Sequence, residues 1–429
     1  LLGAVAVVAT VLFSGPATAQ SGLPADLQAL IGEALKANAE VKQMAALKDA
    51  AKEAIKPAGA LDDPEFAFIL KDIPADSWAF NKDPMTQKMV ELSQKFPFPG
   101  KRRLRSEVAA EQARTEAFVY QDKANEVRTK MIIAYWGLSW ALASYDLTAK
   151  NKQLWEQAVR VAETRYGVGQ GSQAEVLQAQ VELGNYLDRL LQWQQRQESV
   201  LSELNALRAK PAQTPVSRPL PLKPRPFSLS AEQILEMALD RPQLQGLKAQ
   251  IAKQEKAVEL ARKEYYPDFT IGVAYGFKEK LAPPLSDMNN PDMFSSKIMV
   301  NLPIWHADKI KPKIREEQAK KTAAQEAHQW ALHSLGAAVR DRVAKLRRLA
   351  QQINLYERGI IPQARQAAQA ALPAYQTGAV GLAQLVQNQI AAYGAELMLQ
   401  DYLKEFEENW AELEFLAGRE LPRPPGGQR

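Results

Sequence analysis

The feature that most constrains this chain is that its sequence plan is written twice. Ile31, Glu33, Val41, Pro64 and Phe66 recur as Ile234, Glu236, Leu244, Pro267 and Phe269, each 203 residues later. Phe96-Pro97, Leu104, Val108 and Glu111-Gln112-Ala113 recur as Leu302-Pro303, Ile310, Ile314 and Glu317-Gln318-Ala319, at an offset of 206. Tyr166, Gly169, Gln178 and Gln180 recur as Tyr375, Gly378, Gln387 and Gln389, at 209. An offset that grows in two small steps is what short insertions leave after an old duplication. The expected organisation is a first repeat over residues 20–210, a linker over 211–229 and a second repeat over 230–421. Six prolines fall in the sixteen residues 211–226, so the linker can neither be helical nor pair in a central strand.

Each repeat reads helix, strand, strand, helix, helix. The first helix covers about 27–55 and returns at about 231–265. The second covers about 101–165, with no Pro and one Gly, and returns at about 309–371. A helix of that length spans ~100 Å at ~1.5 Å per residue. No compact domain needs one, so the pattern predicts antiparallel helices that coil against neighbours. Pro362 and Pro373 predict a kink or break in the second copy.

The strands alternate with period two. Phe269, Ile271, Val273, Tyr275 and Phe277 are large and apolar; Thr270, Gly272, Ala274, Gly276 and Lys278 are small or polar. Residues 297–305 alternate in the same way, and 65–71 and 88–96 are their counterparts. Loops rich in Pro, Asp and Asn, at about 72–84 and 279–292, separate the strands of each pair. Two such hairpins suit the capped end of a soluble helical stalk. They also suit a membrane barrel with apolar residues outward. Four strands cannot close a barrel, and lipid tolerates no free strand edge. Membrane insertion therefore requires several chains to share one barrel.

Composition narrows the function classes. A formal charge of +5 is spread over interleaved cations and anions, without the basic stripe and stacking aromatics that nucleic-acid binding needs. Residues 1–13 are apolar and 14–19 are small, ending Ala17-Thr18-Ala19. That reads as a signal peptide truncated at its start, with cleavage before Gln20. No later run reaches ~18 apolar residues, so no transmembrane helix is expected. The chain has no cysteine, which predicts neither disulfides nor a lipid-modified N-terminal cysteine. Residues 422–429 read as a disordered tail.

No catalytic constellation stands out. His328 and His333 are five apart, on different helix faces, and His306 is distant in sequence. Met85, Met89, Met288, Met293 and Met299 lie in or beside the hairpins. Thioethers can hold Cu(I), but loop or barrel packing is the better account of them. Gly167-x-Gly169-x-Gly171 follows a helix rather than a strand and has no Lys-Ser/Thr after it, which excludes a phosphate loop. Neither a cofactor nor a metal site is expected.

The glycines mark a chain reversal. Three of them end the long helix, and Ser172, with Glu175 three residues on, reads as the N-cap of the next. The run R-Y-G-V-G-Q-G-S-Q-A-E-V-L-Q-A-Q from Arg165 resembles the periplasmic tip motif of TolC-like outer membrane efflux proteins. A-Y-Q-T-G-A-V-G-L-A-Q-L-V-Q-N-Q from Ala374 resembles their second tip. Residues 92–101, LSQKFPFPGK, are similar to the strand-to-helix junction of members that serve heavy-metal pumps of the RND type. Residues 411–418, AELEFLAG, resemble the family's end.

The resemblance implies a mainly α fold with a small β part. Long antiparallel coiled helices would form an α-barrel, and each chain would give four strands to an outer-membrane β-barrel. It implies a homotrimer in outer-membrane lipid, extending into the periplasm, with an adaptor protein and an inner-membrane pump as partners. It implies a passive exit duct, not an enzyme. A non-conducting coiled-coil stalk and a type I protein secretion duct are the alternatives. Tyr166, Gly167, Gly169, Ser172, Tyr375, Gly378 and Gly381 would form the adaptor-docking tips. Glu175 and Tyr375 match a pair that holds the family's entrance closed, while the usual basic partner falls on Val380. The family's constricting acidic pair falls on Gln384 and Gln387, leaving an amide ring without strong cation selectivity.

Overall fold

A computed structural model describes residues 22–423. The signal-peptide reading of 1–19 and the end of the tail, 424–429, lie outside the described residues. The first repeat contains α1 (Ala25–Ala37), α2 (Ala39–Glu53), α3 (Ile55–Gly59), β1 (Glu65–Lys71), β2 (Gln87–Phe96), α4 (Lys101–Gly167) and α5 (Gln173–Leu207). The second contains α6 (Ala231–Ala238), α7 (Pro242–Lys263), β3 (Phe269–Phe277), β4 (Met293–Val300), α8 (Lys311–Leu355), α9 (Ile361–Gln376) and α10 (Leu382–Ala417). The mainly α reading, the small β part and the duplicated plan all hold. No described helix is long and apolar enough to cross a membrane.

The first helix of each repeat is broken where one continuous helix was expected. At Asn38 the backbone turns extended (φ −57°, ψ 130°), and the side chain accepts from Glu40 N and Val41 N, starting a new helix. The equivalent position, Arg241, adopts φ −54°, ψ 137° ahead of Pro242, which needs no N–H at a helix start. The break at Pro362 is present as a π-helical turn over Tyr356–Ile360, closed by Ile361 N to Tyr356 O. The wider turn accommodates the missing proline donor. Pro373 sits inside α9 without ending it.

The chain divides into two compact units that each draw on both repeats: 22–35, 128–231 and 341–423 in one, 36–127 and 232–340 in the other. The second unit holds the sheet, ordered β1-β2-β3-β4 and antiparallel throughout. The two hairpins join through β2 and β3, from Lys88 opposite Phe277 to Phe96 opposite Phe269. Cross-strand register puts Phe66, Leu92 and Val273 on one face with Phe68, Val90, Tyr275 and Phe294. That face is exposed: Phe66 and Phe294 are each 70% accessible. The opposite face carries Ser93, Gly272, Ala274 and a Glu91–Lys297 ion pair. β4 ends at Val300, short of the expected Trp305, because β3 offers no ladder past Phe269. Asn301 N turns instead to Asp268 O (3.2 Å).

Lys101 ties the start of α4, just past the first hairpin, to the entry of the second. Its side chain is 1% exposed, and Nζ donates to Asp268 Oδ1 (2.8 Å) and Tyr266 O (2.9 Å). A lysine this deeply buried needs such partners.

In the other unit the linker is pinned along the helices. Tyr135 Oη donates to Asp26 (2.8 Å) and accepts from Leu220 N (3.1 Å), while Asn205 Nδ2 holds Ala212 O and Thr214 O. Burial pushes the Tyr135 phenol far above its ordinary range, aided by Asp26 and opposed by Leu220 N–H. The side chain of Arg423, expected in the disordered tail, is 2% exposed and bonds Glu407 (2.9 Å) and Glu414 (3.1 Å). Two buried carboxylates demand that cation, so the chain is ordered to this point.

Candidate functional site

The site is built on the two helix reversals, α4 to α5 and α9 to α10, which lie in one compact unit. Each ends its helix in the same way. Gly169 takes φ +74°, with Gly169 N bonding Tyr166 O (3.0 Å) and Gln170 N bonding Arg165 O (2.8 Å). Gly378 takes φ +76°, with Gly378 N bonding Tyr375 O (3.1 Å) and Ala379 N bonding Ala374 O (2.8 Å). These paired 5→2 and 6→1 bonds make a Schellman stop, which requires a left-handed residue. The duplication has kept the turn chemistry.

A Cβ at Gly169 would meet nothing within 4 Å, and at Gly378 only the Arg165 guanidinium, at 3.7 Å. The glycines are needed for their backbone angle, not for close helix approach. Gly167 and Gly381 also have open space around them. Ser172 caps α5, its Oγ accepting from Glu175 N at 3.3 Å. Tyr166 and Val168 are exposed at 50% and 64%.

Glu175 and Tyr375 are brought together across 200 residues of sequence. The Tyr375 phenol donates to Glu175 Oε2 at 3.2 Å. Tyr375 is fully buried, in a cluster with Trp155, Ala162, Ala179, Tyr186, Leu382 and Leu385. Burial pushes its phenol up to about 12; the Glu175 carboxylate adds to the rise and the Arg165 cation opposes it. The tyrosine is therefore a neutral donor at any physiological pH.

Arg165 is the residue that sequence reading missed. Its guanidinium lies over the Tyr375 ring at 4.6 Å, donates to Tyr375 O, and donates to Gln170 O at 3.1 Å. It joins both tips and supplies a cation where Val380 offers none. The only local sign of this was its place in the last turn of α4, where a cation suits the helix dipole. Nothing local pairs it with a residue 210 positions away.

Gln384 and Gln387 are not part of this cluster. Both are exposed on α10, and Gln384 Nε2 bonds Asn388 Oδ1 at 3.1 Å. Among the described residues no group of three or more His, Cys, Asp or Glu could hold a metal ion. His306 packs near Tyr265, with ring centroids 6.0 Å apart.

A family model described as outer membrane efflux protein matches residues 30–209 and 234–419, once on each repeat. No curated protein matches the chain significantly in sequence. Solved structures resemble it closely in fold. The outer membrane protein VceC from Vibrio cholerae is 18% identical, with 92% of this chain and 96% of that one covered at a TM-score of 0.77. CusC, described for folding and transmembrane channel formation, is 17% identical over 92% of each chain, with a TM-score of 0.75. The Campylobacter jejuni CmeC outer membrane channel is 15% identical, with 92% and 86% covered and a TM-score of 0.77. At these identities the likeness is one of fold.

Proposed function

This chain belongs to the outer membrane efflux protein family, and on that premise we propose that it is the exit duct of a tripartite efflux system. Its place is the outer membrane of a Gram-negative bacterium. Three copies assemble one channel; a periplasmic adaptor docks at the tips, and an inner-membrane pump of the RND type drives the cargo. The protein itself conducts passively and carries out no reaction.

One observation carries the reading. The sheet has four strands, two free edges and an exposed apolar face. Unpaired backbone groups in hydrocarbon cost several kcal/mol each, so β1 and β4 need strands from other copies. Three copies supply twelve strands, enough to close a barrel with Glu91, Lys297 and Gly272 facing its interior. The cargo we assign is heavy-metal ions, on the junction sequence from Leu92 to Lys101. A duct needs no tight metal site, because tight binding slows exit.

The architecture is tested by native mass spectrometry of the detergent-extracted protein: a trimer is expected, and a stable folded monomer would refute it. The cargo is tested in a deletion strain. Sensitivity to copper, silver, zinc or cobalt, with unchanged drug tolerance and protein secretion, is the expected outcome. Loss of protein secretion alone would favour the type I duct.

A further inference from the structure

The two sheet-to-helix junctions began as copies and have diverged. At the first, Phe98 stacks on Tyr266 with centroids 4.5 Å apart, and the buried Lys101 bonds Tyr266 O and Asp268. At the second, a π-helical turn over His306–Ile310 replaces that packing. It leaves a cleft of about 660 Å³ between the end of β4, α7 and the start of α8. Leu260, Leu302, Pro303 and Ile310 give it an apolar lining, with Trp305 at its edge. Leu302 and Trp305 are each 71% exposed. Ile298, Val300 and Leu302 are all exposed apolar residues, so the cleft adjoins the apolar outer face of the sheet.

Charge decides what fits. Of the two carboxylates in the lining, Glu317 is held by Lys313 and Lys320 at 3.0 Å each, and Glu264 lies 3.9 Å from Lys101. Lys253 and Lys309 also line the cleft, and neither has an acidic partner among the described residues. An apolar trough with two unpaired ammonium groups, beside a tryptophan at a membrane boundary, suits a molecule with acyl chains and a phosphate. We infer that this cleft is a binding site for an anionic phospholipid of the leaflet on the helical side of the membrane, with its acyl portion on Leu302 and Trp305 and its phosphate held by Lys309 and Lys253. The site rests on the membrane reading above, since only a sheet in lipid brings phospholipid to this edge. It would fill a defect that the first repeat closes with protein.

The test is native mass spectrometry of the delipidated full-length protein titrated with phosphatidylglycerol or phosphatidylcholine. Saturable retention of phosphatidylglycerol at one per protomer, with none of phosphatidylcholine, is expected. Lys253→Ala with Lys309→Ala should weaken retention about thirtyfold, the effect of two lysines near an anionic surface. Lys42→Ala with Lys52→Ala, both exposed on α2, should leave it unchanged. Equal retention of both lipids, or retention indifferent to the first pair, overturns the site. A photo-crosslinker replacing Trp305 should capture lipid in membranes; capture of a second copy of the chain overturns the proposal and makes the cleft a protein interface. The same spectra report subunit number, so a lipid-free trimer refutes this site alone, whereas a monomer refutes the proposed architecture.

Discussion

Replacing Arg165 by Met should loosen the tips while leaving the rest of the chain intact. The substitution keeps the apolar stem and removes the guanidinium. Lost with it are the contact over the Tyr375 ring at 4.6 Å, the bond to Tyr375 O and the bond to Gln170 O. Hydrogen bonds from a charged donor contribute about 1.5–3 kcal/mol each, and a cation over a ring roughly 0.5–2. Arg165 is half-buried, so water takes over part of each carbonyl, and the net falls below the roughly 3.5 kcal/mol that the low ends add up to. A loss of about 2–3 kcal/mol per protomer follows, equivalent to a roughly 30- to 150-fold rise in local opening. Hydrogen–deuterium exchange of the detergent-solubilised protein reads this directly. The amides of Gly378 and Ala379, bonded to Tyr375 O and Ala374 O, should lose protection by that factor. Amides in the middle of α4 should not change. Unaltered protection at Gly378 and Ala379 would refute the assignment of Arg165 as the cation that joins the two tips.

Tyr375→Phe or Glu175→Gln should raise single-channel conductance in planar bilayers without adaptor, since each weakens the 3.2 Å bond between the two tips; unchanged conductance in both would mean that packing around Tyr375 alone holds the entrance. Gly169→Val and Gly378→Val should each cost about 1–2 kcal/mol of tip stability from the left-handed backbone and abolish efflux with trimer yield preserved; wild-type resistance in both variants would dissociate the tips from adaptor docking. Acid should release α1 from the end of α5: bonds from Lys210 and Arg208 hold the Glu33 carboxyl below its ordinary range, so their contribution is full above that range and fades as pH falls through the lowered value. Protection of the Arg208 and Ala209 amides against hydrogen exchange, normalised to the intrinsic rate at each pH, should then fall in wild type below about pH 4.5, and be acid-independent in Glu33→Gln.

Much of this protein was decided by local chemistry that a sequence displays. The period-two run from Phe269 to Phe277 could only be a strand with one apolar face, and that face is the exposed one. The glycines at 169 and 378 could only end helices, because each stop needs a left-handed residue whatever surrounds it. The duplication implied two hairpins in matching places, and a four-stranded set implied free edges. What local signals could not decide were features set by partners distant in sequence. Residues 302–304 alternate like strand residues, yet lie outside β4 because β3 has no residue left to pair with them. Asn38 looks like an ordinary helical position until its side chain is seen to cap the next helix. Arg423 reads as tail until two buried carboxylates claim it. Arg165 reads as a helix-end cation, and only the packing of α9 against α4 puts Tyr375 under its guanidinium. Propensity and period act over a few residues, so they are written in the chain. Charge pairing and closure depend on which surfaces meet, and that is settled only when the helices and strands are assembled.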